Sequence, residues 1–198
     1  MDNKKYRIAL FASGSGSNAE KIAHYFTNHP SVEVGLMLCN KKEAGVFDRM
    51  SKFPQVVSRH LNNKDFRDGE TVLDILREHH IDFIVLAGFL LKIPENLVKA
   101  YPKRIINIHP ALLPKYGGRG MYGHFVHEAV IENDEKESGI TIHEVNEAYD
   151  EGAIIFQASC QITAEMNAEE LAAKIQQLEH QHFPKVIEEY ILNFREHL

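Results

Sequence analysis

Short apolar runs alternate with amphipathic, helix-like segments along most of the 198-residue chain. The run Phe83–Ala87 has no polar positions, which is typical of a strand buried on both faces. Strands that alternate with helices predict a mostly parallel sheet covered by helices on both sides. Because no linker, repeat or low-complexity tract interrupts the pattern, we expect an α/β protein with a single domain over residues 1–198.

The pattern predicts seven strands and five helical segments. The strands are expected at Ile8–Ala12, Val32–Cys39, Gln55–Ser58, Phe83–Ala87, Arg104–His109, Gly139–Val145 and Ala153–Ser159. The first helix is expected to be capped by Asn18, and the others to span Val46–Phe53, Asp65–His80, His124–Glu132 and Ala168–Phe194. The last helix is expected to be interrupted or kinked near Pro184. The last two strands lie close enough in sequence to form an antiparallel pair.

Charge and cysteine content exclude several classes of protein. The chain has 22 Lys and Arg against 28 Asp and Glu, a net charge of −6, and no basic cluster typical of nucleic-acid-binding proteins. Cys39 and Cys160 lie in separate apolar runs and indicate neither a disulfide framework nor a paired metal knuckle. No apolar run approaches the roughly 18 residues of a membrane span. We therefore expect a soluble, cytoplasmic protein without nucleic-acid or membrane partners.

The segment Ser13-Gly14-Ser15-Gly16-Ser17-Asn18, here called the Ser-Gly loop, follows the first predicted strand. Glycines permit a tight turn, and the exposed N–H groups at the start of the next helix favour an anion such as a phosphate. A dinucleotide fingerprint fits in the relaxed form, but the second strand ends at Asn40 without the acidic residue that holds a ribose. A turn without a ligand is the third possibility. We favour a phosphate monoester.

Asn107 and His109 stand two positions apart on a predicted strand, so their side chains lie on one face. An amide beside an imidazole offers donors to an oxygen that gains negative charge, and the imidazole can also move a proton. The pair therefore suits acyl transfer. The alternative is that Asn107 satisfies backbone groups and His109 packs under Pro110.

Asp150 lies in the tight turn Asp150-Glu151-Gly152, where an aspartate often has only a turn-forming role. The remaining histidines, including His124 and His127, lack the spacing of zinc motifs, so no metal is expected. His143 alternates with apolar neighbours and is either a strand-face residue or a neighbour of the site.

Five segments together resemble the phosphoribosylglycinamide formyltransferases and occur in the order of that family. They are the Ser-Gly loop, Leu86-Ala87-Gly88-Phe89, Asn107-Ile108-His109-Pro110-Ala111-Leu112-Leu113-Pro114-Lys115-Tyr116, Gly139-Ile140-Thr141-Ile142-His143 and Asp150-Glu151-Gly152. The resemblance implies a Rossmann-like formyltransferase fold. It also implies transfer of the formyl group of 10-formyltetrahydrofolate to the amine of glycinamide ribonucleotide, the third step of purine synthesis, without a metal.

The resemblance also assigns roles to residues. It implies that Asn107, a protonated His109 and Asp150 are catalytic, that Gly16, Ser17 and Asn18 bind the substrate phosphate, and that Glu179 contacts the ribose. The expected folate contacts are Arg67, Leu90, Leu91, Lys92, Ile93 and Asn107.

Two segments depart from the family pattern. Leu90-Leu91-Lys92 stands where the family often has Met-Arg after Gly-Phe. The segment Leu113–Gly123, here called the 113–123 loop, has four glycines among eleven residues and is longer than its family counterpart. We expect it to act as a lid that brings Arg119 near anionic groups or leaves it in solvent.

Three alternative functions share parts of this pattern. A formyltetrahydrofolate hydrolase or a methionyl-tRNA formyltransferase would use the same catalytic trio, but both are expected to carry a further domain that 198 residues cannot hold. A non-catalytic, Rossmann-type nucleotide-binding module would not need the trio. The sequence leaves a monomer and a homodimer equally open.

Overall fold

The computed structural model describes residues 5–194 and places seven strands in one sheet, in the order β3-β2-β1-β4-β5-β6-β7. The strands are β1 Tyr6–Ala12, β2 Val32–Cys39, β3 Val57–His60, β4 Phe83–Leu86, β5 Ile105–His109, β6 Glu137–Glu144 and β7 Ile154–Gln161. Neighbours among β1 to β5 are parallel, whereas β6 runs antiparallel to β5 and β7 antiparallel to β6. The expected mostly parallel sheet with an antiparallel C-terminal pair is therefore confirmed.

Helices cover both faces of the sheet. They are α1 Ser17–Tyr25, α2 Val46–Met50, α3 Asn63–Asp68, α4 Glu70–Glu78, α5 Glu95–Ala100, α6 His124–Glu132 and α7 Ala168–Asn193. Alternate residues of β1 point to opposite faces: Leu10 packs in one core with Ile22 of α1 and Ile187 of α7, and Phe11 in the other with Phe66 of α3. Burial on both sides explains why the central strands are almost wholly apolar.

The chain changes direction across the sheet between β1 and β4. It lays β2 and β3 on one side of β1 and then returns to place β4 on the other side. The two connections therefore diverge where β1 and β4 end, and a backbone hydrogen bond of 3.0 Å from Ser13 N to Gly88 O joins the two ends. Open α/β sheets bind ligands in the crevice that forms at such a point.

Two predicted helices begin or end differently in the structure. Asn18 does not cap α1; the N-cap is Gly16, in a left-handed conformation with φ 78°, and Asn18 is buried one residue inside the helix. The helix predicted over Asp65–His80 is split by Gly69, whose φ of 80° is incompatible with a continuous helix. Gly69 ends α3 and begins α4.

Three further elements differ from the prediction. The third strand lies two residues later than predicted, at Val57–His60, and the short helix α5 was not predicted. Of the two predicted alternatives at Pro184, an interruption and a kink, the interruption is wrong, because helix α7 continues through the proline. Phe183, Val186 and Ile187 are buried on either side of the proline, and this packing outweighs the lost backbone hydrogen bond. None of the helices within residues 5–194 is both long and apolar enough to cross a bilayer.

Candidate active site

A cavity of about 720 Å³ opens at the C-terminal ends of β1, β4 and β5. Its walls are the Ser-Gly loop, the segment that follows β4, the end of β5, the tip of the 113–123 loop, residues 143–150 and one face of α7. The cavity therefore lies at the crevice where the chain reverses its course across the sheet. Its lining includes most of the residues that the sequence singled out.

The Ser-Gly loop is held in place by the segments that follow β2 and β4. Ser13 Oγ donates to Asn40 Oδ1 at 2.6 Å and accepts from Leu90 N at 3.0 Å. Val46 N donates to Gly14 O at 3.2 Å. A Cβ atom at Gly16 would lie 2.4 Å from Val46 Cγ2, so only glycine fits this close approach. The loop thereby presents the start of α1 to the cavity.

Helix α7 closes the cavity beside the start of α1. Asn18 Nδ2 donates to Glu179 Oε2 at 2.8 Å, and Gln176 Nε2 donates to Ser17 Oγ at 3.2 Å. Burial raises the pKa of Glu179, and the hydrogen bond from Asn18 opposes this only in part. The sequence did not single out Gln176, although its spacing of three residues from Glu179 puts both on one helical face.

Four polar side chains meet where β5 and β6 pair. Asn107 lies opposite His143 in the antiparallel register, and its Nδ2 lies 3.1 Å from His143 Nε2. His143 Nδ1 donates to Glu144 O at 2.8 Å, so in the neutral ring Nε2 accepts from Asn107. Asp150 lies beside both histidines: Oδ1 is 3.6 Å from His143 Nε2, and Oδ2 is 3.6 Å from His109 Nδ1. The structure thus brings Asn107, His109 and Asp150 together.

His109 is buried, with 3% of its surface exposed. Its Nε2 atom lies 2.7 Å from Tyr116 O, and because a carbonyl only accepts, Nε2 carries the hydrogen. Burial lowers the pKa of His109, although the Asp150 carboxylate and the Tyr116 carbonyl both favour the charged ring. The neutral ring is therefore favoured in this conformation, whereas the protonated form that the resemblance implies belongs to the reaction and stays a prediction.

Asp150 is held in a tight turn with φ 55°. Its Oδ2 atom accepts a hydrogen bond of 2.9 Å from Gly118 N. Burial alone would raise the pKa of Asp150, but His143, the Gly118 N–H and His109 together lower it. The group is therefore a carboxylate near neutral pH. The 113–123 loop thus contacts both His109 and Asp150 through its backbone.

The residues predicted to contact folate separate into two groups. Leu90, Leu91, Lys92 and Ile93 line the cavity, and Lys92 Nζ lies 5.4 Å above the centre of the Tyr149 ring. Arg67 is exposed on α3 and is not part of the cavity wall. Arg119 does line the cavity. Within residues 5–194, no group of three or more His, Cys, Asp or Glu is arranged to hold a metal ion.

Comparisons with known proteins agree with this geometry. The model of the formyl transferase family matches residues 6–187. The chain is 42% identical over 190 residues to the chloroplastic phosphoribosylglycinamide formyltransferase of Arabidopsis thaliana, covering 93% of this chain and 65% of that protein. It is 33% identical over 190 residues to the phosphoribosylglycinamide formyltransferase of Bacillus subtilis, covering 93% and 94% of the two chains.

A solved structure has the same architecture. The phosphoribosylglycinamide formyltransferase of Bacillus halodurans superposes with a TM-score of 0.85 at 37% identity, over 97% of this chain and 98% of that one. The chain spans less than two thirds of the plant relatives from Arabidopsis thaliana and Vigna unguiculata, at 65% and 61% of their lengths. The sheet order, the cavity, the trio of polar side chains and the match over residues 6–187 lead to one assignment. The chain belongs to the formyl transferase family.

Proposed function

We propose that this protein transfers the formyl group of 10-formyltetrahydrofolate to the amine of glycinamide ribonucleotide, giving N-formylglycinamide ribonucleotide and tetrahydrofolate. One observation carries the proposal: a single cavity joins the start of α1 to Asn107, His109 and Asp150. This arrangement matches a phosphate monoester whose far end carries the reacting amine. The names of the relatives from Bacillus subtilis and Haemophilus influenzae support the same substrate.

The nucleotide would bind along α1 and α7. The backbone N–H groups of Gly16, Ser17 and Asn18 face the phosphate at the positive end of the α1 dipole. Glu179 lies beside Asn18, where a carboxylate accepts hydrogen bonds from ribose hydroxyls. In this binding mode the phosphate lies at the Ser-Gly loop, and the amine points towards β5.

In the reaction the amine nitrogen attacks the formyl carbon, and a C–N bond forms while the carbonyl oxygen gains negative charge. The second N–H of Asn107, which His143 does not engage, and the Nε2–H of His109 are the donors for this oxygen. Asp150 stabilises the imidazolium form of His109 and helps the proton of the amine reach the departing folate nitrogen, N10, as the bond to the formyl carbon breaks. Tyr116 O must first release His109.

Folate would bind against the segment that follows β4. Leu90, Leu91 and Ile93 offer apolar surface and backbone groups to the pterin, and Lys92 supplies positive charge at the cavity mouth. Arg67 lies outside the cavity, so it would contact the folate only through a glutamate tail that extends along the surface to α3. No step of the reaction requires a metal.

We also propose that residues 1–198 form one formyltransferase domain. The two apolar cores on either side of a single sheet support this. We propose a cytoplasmic location as well. The names of two plant relatives include the word chloroplastic, whereas the names of the two bacterial relatives mention no location.

Deformylation of 10-formylfolate, followed spectrophotometrically with and without glycinamide ribonucleotide, tests the proposal. We expect turnover only when the acceptor is present, and turnover at least about 100-fold slower by the Asp150→Asn variant in the same assay. Turnover without the acceptor would instead identify a hydrolase. The absence of turnover with both substrates, together with binding of NAD(H), would identify a nucleotide-binding module.

A further inference from the structure

Tyr116 links the catalytic histidine to a residue outside the cavity. Its carbonyl oxygen lies 2.7 Å from His109 Nε2, and its phenol oxygen donates to Glu135 Oε1 at 3.1 Å. Glu135 lies on the turn that joins α6 to β6 and is not part of the cavity wall. The sequence did not single out Glu135, and the proposed chemistry gives it no role.

The backbone of Tyr116 is in an unfavourable conformation. Its φ is 57°, in the left-handed region, where the Cβ of a residue other than glycine crowds the following carbonyl. Such a conformation persists only where surrounding contacts hold it, and conformations of this kind cluster at functional sites. The contacts that hold Tyr116 therefore also decide where its carbonyl points.

Two side chains of the loop are anchored on Glu135. The ring of Tyr116 packs against the core while its hydroxyl donates to Glu135 Oε1, and Lys115 Nζ lies 2.9 Å from the same oxygen. Both donors favour the charged form of Glu135 and lower its pKa, so it is a carboxylate near neutral pH. The Lys115 side chain is 68% exposed, so its ion pair contributes little to the anchor. The phenol is the contact to test.

The start of the loop is fixed separately. Leu113 N donates to Thr141 Oγ1 at 3.0 Å, and Leu113 O accepts from Gln157 Nε2 at 3.1 Å. These contacts bind the loop to β6 and β7, three residues before Tyr116. A variant that loses the contact with Glu135 therefore keeps the attachment of the loop to the sheet, and its effect should be centred on Tyr116.

The Tyr116 carbonyl occupies a hydrogen that the proposed reaction needs. In that reaction the Nε2–H of His109 donates to the oxygen of the formyl group, whereas in this conformation the same N–H donates to Tyr116 O. Nε2 carries a single hydrogen, so one acceptor must leave before the other is served. The conformation with Tyr116 O on His109 is therefore a resting state.

We propose that Glu135 is a positioning residue for His109. By accepting a hydrogen bond from the Tyr116 phenol, it keeps the Tyr116 carbonyl on His109 Nε2 and so holds the site in its resting state. The inference rests on the proposed function, which requires the release of His109, and it adds the side chain that sets how readily this release occurs.

Four variants of the full chain test this role. Tyr116→Phe removes the hydroxyl but keeps a ring against the core, and Glu135→Ala removes the acceptor. Glu135→Gln keeps a side-chain oxygen that accepts from the phenol. Tyr25→Phe is the matched control, because Tyr25 also donates to a glutamate, Glu188, but lies at the end of α1, outside the cavity wall.

Nuclear magnetic resonance of the unliganded protein measures the contact directly, through the exchange of the His109 Nε2 proton with water. The signal is assigned by its loss in His109→Asn. We expect Tyr116→Phe and Glu135→Ala to accelerate this exchange about threefold to tenfold, the effect of losing one hydrogen bond. Glu135→Gln should stay close to the wild type, and Tyr25→Phe should be indistinguishable from it.

The pKa of His109, measured in the same spectra, should fall in Tyr116→Phe and Glu135→Ala. The Tyr116 carbonyl raises this pKa, so a weaker contact removes part of that effect. The other groups that face the ring stay in place: Asp150 still raises the pKa, and burial and His143 still lower it. A loss of packing elsewhere in the fold would not produce this shift.

Steady-state kinetics provide the second measurement. Because Tyr116 O must leave before His109 acts, a weaker hold increases the fraction of molecules that can react. We expect kcat/KM in Tyr116→Phe to rise about threefold to tenfold, with an unchanged calorimetric Kd for glycinamide ribonucleotide. Tyr25→Phe should keep the wild-type kcat/KM.

Three results would overturn the inference. The first is wild-type proton exchange and a wild-type His109 pKa in both Tyr116→Phe and Glu135→Ala. The second is the same change in Tyr25→Phe, which indicates a general loss of stability. The third is a kcat/KM below that of the wild type in Tyr116→Phe, since the carbonyl would then support His109 rather than restrain it.

Failure of the proposed function is recognised separately. The resonance measurements need no substrate and decide whether Glu135 holds the Tyr116 carbonyl on His109. If the wild-type protein transfers no formyl group to glycinamide ribonucleotide, the proposed function fails, and the catalytic meaning of this contact fails with it.

Discussion

His109 Nδ1 faces Asp150 Oδ2 at 3.6 Å, while the other nitrogen of the same ring donates to Tyr116 O. The carboxylate and burial act on the ring in opposite directions: burial lowers the pKa of His109, and Asp150 raises it. The ring is thus neutral at rest but lies beside a group that stabilises its charged form. Such a pair can accept and release a proton near neutral pH.

Replacing Asp150 by Asn should lower kcat about 100-fold to 10 000-fold, the usual contribution of a positioned acid–base group. Without the carboxylate, only the Tyr116 carbonyl still opposes the effect of burial, and the pKa of His109 falls further. Acceptor affinity, measured by calorimetry, and the circular dichroism spectrum should remain those of the wild type. A wild-type kcat would remove Asp150 from the mechanism.

His109→Asn should reduce kcat by a similar factor, because the variant loses the proton-transfer group and keeps only a neutral amide. The double variant His109→Asn/Asp150→Asn should be no slower than either single variant, since the two side chains act as one unit. Steady-state kinetics of all three variants provide the comparison. Multiplicative losses in the double variant would show that the two residues act independently.

Asn18→Ala should weaken binding of glycinamide ribonucleotide about tenfold and lower the free energy of unfolding by about 1–3 kcal/mol. The Glu179 carboxylate loses its 2.8 Å donor in this variant and remains partly buried. Calorimetry and urea denaturation measure the two effects. An unchanged acceptor affinity would mean that the phosphate does not bind at the Ser-Gly loop.

Glu179→Gln should stabilise the unliganded protein at neutral pH but not in acid. Burial raises the pKa of Glu179, so the folded protein holds this proton more tightly than the unfolded chain, whose carboxyl has a pKa near 4.5. Wild-type stability from this group is complete below pH 4.5 and is lost as the pH rises through the folded value. The glutamine variant has no such loss. Urea denaturation from pH 4 to pH 8 should show a difference that grows with pH; a constant difference would refute the linkage.

Gly16→Ala should destabilise the protein by about 2–4 kcal/mol, since the new Cβ would lie 2.4 Å from Val46 Cγ2 and φ is +78°. Gly14→Ala is the matched control in the same loop, because nothing lies within 4 Å of the place that its new Cβ would occupy. Its effect should stay within about 0.5 kcal/mol. Thermal denaturation distinguishes the two, and equal losses would contradict the steric argument.

Two elements have the bounds that local pattern predicts. Strand β2, at Val32–Cys39, and helix α6, at His124–Glu132, have the predicted bounds. At Gly69 and Pro184 the local pattern predicts the course of the helix wrongly. The glycine breaks a helix because of its backbone conformation, and the proline does not break one because the surrounding core holds the helix together.

The candidate site was predictable where two functional residues share one element. Asn107 and His109 lie on one strand face, as a period of two requires. The position of Asp150 beside them depends on the turn that follows β6, and that of Glu179 on how α7 packs against α1.

Two backbone groups of the 113–123 loop hydrogen-bond to the catalytic pair: the Tyr116 carbonyl accepts from His109, and the Gly118 N–H donates to Asp150. Main-chain groups are common to almost every amino acid, so exchange of an exposed side chain such as that of Arg119 does not by itself remove either hydrogen bond. What exchanges at Tyr116, at φ 57°, and Gly118, at φ 94°, alter is the ease with which these two residues adopt left-handed conformations. The backbone conformation at Tyr116 and Gly118 therefore sets the loop's hold on the catalytic pair, while the side chains of Leu113, which is buried, and Tyr116, which packs against the core, hold the loop itself in place.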